Sequence, residues 1–123
     1  MAELSRCADL VVAAPAAMGG RRHPRPVDLV MASGLPVIVT PAGQETVQPR
    51  TILIGWKNTR EARRAISDAL PLLKIAEKVV IAHVCETGDA MQVETELRDV
   101  AARLARHGVQ ATCTTYPPLA AQA

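Results

Sequence analysis

The chain has 123 residues, 49% of them hydrophobic, with one Trp, one Tyr and no Phe, so it has room for one domain with an aliphatic core of Val, Ile, Leu and Ala, the composition of buried parallel strands. A formal charge of +2 gives no general attraction to nucleic acid or to an anionic membrane, and no run approaches the ~18 apolar residues of a membrane span. Cys7, Cys85 and Cys113 are odd in number and have neither metal-binding nor CxxC spacing, which argues against a disulfide framework and predicts reduced thiols in a cytoplasmic protein.

Glu3 and Asp9 interrupt the apolar residues of the N-terminus, a pattern wrong for a secretory signal. From there, five short apolar runs read as strands: 10–14, 36–40, 51–55, 78–84 and 109–115. Most are continuous rather than alternating, as strands covered on both faces should be. The piece from Pro26 to Ser33 reads as a short helix with its proline at the first position. Ahead of the next helix Thr59 is a candidate N-cap, and Ala62, Ala65, Ile66, Ala69, Leu70 and Leu73 recur at spacings of three and four. Pro71 within that pattern predicts a kinked or shortened last turn. A third helix fits 90–107, with Met91, Val93, Leu97, Val100, Ala101, Leu104 and Ala105 on its apolar side and Gly108 as its stop. Residues 15–25, 41–48 and the tail from 117 read as loops. Strands alternating with helices predict an α/β fold, an open and mostly parallel five-stranded, Rossmann-like sheet with helices on both faces.

Three stretches carry a more specific signal: "RCADLVVAAP", "SGLPVIVTPAG" and "RTILIGWKNTREARRAISDALPLLKIAEKVVIAHV". Together they resemble the universal stress proteins of bacteria, above all the tandem two-domain kind. There an "ADLVVVG" strand and a "PVLVVP" strand close one domain, and a "VLVAW(D/N)GSREAARA…DALPLL…A" segment opens the next. The resemblance covers most of the chain and is most specific at "DALPLL", residues 68–73. The glycine-poor loop between the first two strands departs from it. The resemblance implies the adenine nucleotide alpha hydrolase-like fold, with its pieces in permuted order. Residues 1–40 are similar to the end of one domain, 41–50 form a linker, and 51–123 are similar to the beginning of another.

In that family the strand order is 3-2-1-4-5, so the chain holds every strand once and predicts a single universal-stress-like domain over 1–123. Closing it requires the linker to return along a strand of ~17 Å and to step two strands sideways at ~4.8 Å each, within the ~33 Å that ten extended residues span. The alternative is a homodimer, strand- or half-swapped, in which each half completes a sheet of its partner. The expected partner is a second copy, with neither nucleic acid nor membrane.

ATP-binding members of the family place an acidic residue after the first strand and a G-x-x-G-(nine residues)-G-(S/T) loop after the fourth, where glycines let backbone N–H groups approach phosphate. Carried onto this chain, the acidic position is Lys57, followed by Asn58 and Thr59. Gly19 and Gly20 lack their partners, because Arg22 and His23 stand where glycine is needed, and Gly34 is followed by Leu35. The resemblance therefore implies a non-ATP-binding member that acts through dimerisation or protein contact in a stress response. One alternative is weak ATP binding by substitute contacts: Lys57, Arg21 and Arg22 to phosphate, with Asn58, Thr59, Gly19, Gly20 and backbone near His83 completing the nucleotide site. A plainer view of "GGRRHPR" is a solvated basic loop. A second alternative is a small hydrolase using Cys85 and His83, which sit two apart at a strand end. Trp56 either stacks on a base or covers the end of the sheet. His107 suits a helix C-terminus, while Cys7 and Cys113 read as small core residues.

Overall fold

The computed structural model describes residues 4–14, 24–86 and 88–118. The chain divides into two compact units, Met1–Val47 and Gln48–Ala123, and the division falls inside the 41–50 stretch.

The first unit opens with a 3-10 turn, Leu4–Cys7, and continues with β1 (Val11–Ala13), α1 (Pro26–Ser33) and β2 (Val37–Val39). β1 and β2 run parallel with Val11 opposite Val37, so the chain must cross over between them, and α1 lies within that crossover. α1 begins where the sequence predicts: Pro26 fills the first helical position, where its missing N–H costs nothing. It ends at Gly34, whose φ of 67° permits the left-handed turn that returns its N–H to Val30. Ser33 seals the same end, donating to the Leu29 carbonyl at 2.6 Å and accepting from the Leu35 N–H at 3.2 Å.

The second unit contains β3 (Thr51–Gly55), α2 (Arg60–Ile75), β4 (Lys78–Val84), α3 (Ala90–Arg106) and β5 (Ala111–Tyr116). Its three strands are all parallel, in the order β3-β4-β5. Thr59 caps α2 as expected, its Oγ1 accepting the Ala62 N–H at 3.2 Å. Ile66 and Leu73 of α2 join Val93, Leu97, Val100 and Leu104 of α3 in one cluster over Val79 and Ile81. Ile81 and Leu104 are fully buried. The register explains which strand residues enter: Ile52 lies opposite Val79, Ile54 opposite Ile81, and Ile81 opposite Cys113, and alternate residues of a strand share one face.

Five expectations are corrected. The strands form two separate sheets, of two and three strands, rather than one permuted sheet of five. Residues 41–50 contain a turn at Ala42–Gly43 and no helix, and parallel neighbours are ordinarily joined through a longer, usually helical, crossover. Nor are the strands of the second unit covered on both faces: β3 alternates between exposed and half-buried residues, because both long helices pack on the same side. Pro71 does not shorten α2, which continues to Ile75; Leu73, two residues further on, is buried and holds the last turn in place. Finally, Cys7 and Cys113 are exposed rather than core residues. Cys113 faces α3 and donates to the Leu97 carbonyl at 3.5 Å, but it does so from an edge strand with no neighbour beyond it among the described residues.

The last strand also starts two residues later than its apolar pattern suggests. Gly108, at φ 81°, turns the chain so that its N–H reaches Ala105 and the Val109 N–H reaches Leu104. That paired cap uses the backbone of 109 and buries Val109 against Leu104, so the ladder begins at Ala111.

Candidate functional site

Because β3 and β4 are parallel, the loops that follow them leave from the same edge of the sheet, the edge where open α/β sheets hold ligands. An open crevice of about 730 Å³ lies there, lined by Trp56, Lys57 and Asn58 after β3, by His83, Cys85 and Glu86 at the end of β4, and by Asp89, Gln92 and Glu96 from the start of α3. Ala62 and Val93 contribute apolar wall from α2 and α3.

Trp56 sets the floor. Its N–H continues the ladder by donating to the Ala82 carbonyl at 2.8 Å, and the residue is 7% exposed. It belongs to the core cluster, in keeping with the sheet-covering role. Its indole Nε1–H is buried with no hydrogen-bond partner among the described residues. The Trp56 carbonyl meets His83 Nδ1 at 2.9 Å. A carbonyl can only accept, so Nδ1 carries the proton and a neutral ring keeps Nε2 as its acceptor.

The polar rim is organised around Glu96. Its Oε1 accepts from Asn58 Nδ2 at 3.2 Å and from Gln92 Nε2 at 3.3 Å, while Asn58 Oδ1 accepts from Arg63 Nη1 at 2.8 Å. Asn58 therefore bridges the β3–α2 turn to α3. Lys57 is exposed and makes no ion pair among the described residues. Glu86, Asp89 and Glu96 set three carboxylates against this one ammonium, a balance that opposes a polyphosphate.

Of the residues singled out from sequence, Lys57, Asn58 and His83 come together in the crevice. Thr59 is beside them but is committed to capping α2. Gly19, Gly20, Arg21 and Arg22 lie outside the described residues. Cys85 lines the same crevice, yet its N–H is used by the Tyr116 carbonyl, and no hydrogen bond joins its thiol to His83 among the described residues. Sequence reasoning missed Asp89, Gln92 and Glu96. Their signal was present, since spacings of three and four place them on one side of the first turns of α3, immediately after the strand that carries His83. Among the described residues no group of three or more His, Cys, Asp or Glu side chains is placed to hold a metal ion, and no helix is long and apolar enough to cross a membrane. Compared with known proteins, the chain matches no family model and no curated protein sequence.

Proposed function

We propose that this protein is a universal-stress-protein-like α/β protein of the non-ATP-binding kind, acting in the cytoplasm by association with a second copy of itself. The observation that carries this reading is a contrast in burial. Among the described residues, every buried apolar side chain belongs to Gln48–Ala123, and none belongs to Met1–Val47. Val12, Val27, Val30, Met31 and Val39 are each at least two-fifths exposed. A segment with this much uncovered aliphatic surface needs another protein surface to cover it. Light scattering tests the reading directly: the expected mass is twice that of the chain, and a monomer at every concentration up to the millimolar range overturns it.

Retained adenine-nucleotide binding is the second reading, favoured by the position of the crevice and by Lys57 at its mouth. The three carboxylates on its rim weigh against it. A ligand at 100 times its Kd adds ~2.7 kcal/mol to stability, so millimolar ATP with magnesium distinguishes the two. An unchanged melting temperature is expected, and a rise of several degrees would establish the nucleotide reading instead. A hydrolase built on Cys85 and His83 has no hydrogen bond between the two groups among the described residues to support it.

A further inference from the structure

We draw no further inference here: the strongest candidate, the crevice at the carboxyl ends of β3 and β4 where Glu86, Asp89 and Glu96 gather beside Lys57, belongs to the site already described, and beyond those carboxylates nothing in the structure shows what fills it, since the unpartnered indole N–H of Trp56 is buried with no surface open to a ligand.

Discussion

At the scale of single residues, the most informative is Trp56. It gives the core its one large aromatic and leaves an indole N–H buried without a partner among the described residues. An unmade hydrogen bond of this kind costs about 1–3 kcal/mol, similar to what the ring gains by burial. Trp56→Phe, which drops the N–H and keeps most of the ring, should change stability by less than about 1 kcal/mol in urea unfolding. A loss above about 3 kcal/mol would mean that the N–H is satisfied. Ahead of α1, Arg25 Nε and Nη2 grip the Asp28 carboxylate, each at 3.1 Å. The hydrogen bond from Arg25 holds the Asp28 carboxyl below its ordinary value of 3.8. A depressed folded-state pKa means that the stabilising contact is present above the unfolded value and is lost as pH falls through the folded one. A carbon-detected NMR titration of Asp28 should show a midpoint below 3.8, returning toward it in Arg25→Ala. The pair is solvent-exposed, so its effect on global stability should be negligible. Cys113 is exposed as a residue, but its thiol lies against the Leu97 carbonyl of α3, and the partial desolvation there pushes it above its ordinary value, which favours the protonated form.

At the scale of elements, local chemistry and packing agree at most boundaries and compete at one. Pro71 deprives α2 of a backbone donor and crowds the carbonyl one turn earlier, yet the helix passes through it because Leu73 is buried on the far side. Pro71 is itself exposed, so Pro71→Ala should restore the bond without disturbing the core. The expected gain is about 1–3 kcal/mol, read as a higher melting temperature; a destabilised variant would show that the ring fixes the path of the helix. The paired cap at Gly108 was legible as a helix stop, since glycine after a periodic apolar run has few other uses. Its cost to the following strand was not legible. Val109 fits a strand pattern equally well, and only the hydrogen bond from its N–H to the Leu104 carbonyl shows its backbone assigned to the helix end.

At the scale of the whole molecule, the two units have unequal means of resisting opening. The second contains the entire buried cluster, and the first has two three-residue strands and a helix with no buried residue. Amide hydrogen exchange should therefore be slowest at Val79–Ala82 and faster by orders of magnitude at Val11–Ala13 and Val37–Val39. Equal protection would show that the first unit is buried by association, and its concentration dependence would report the partner directly. The candidate site was partly legible for a related reason. Lys57, Asn58 and His83 follow strands whose ends a parallel sheet must align, while Asp89, Gln92 and Glu96 needed the helix that packs above them.

The sequence by itself determined the elements: which runs are strands, where Thr59 and Pro26 begin helices, where Gly34 and Gly108 end them. These follow from periodicity and from backbone groups that must be satisfied within a few residues. Only the tertiary structure decided how the strands were shared between sheets, which sheet face was left open, and which carboxylates came to rim the crevice. Those outcomes depend on pairings between segments distant in sequence, and a strand's place in its sheet has no local signature, since Thr51–Gly55 would read identically at an edge or in the middle.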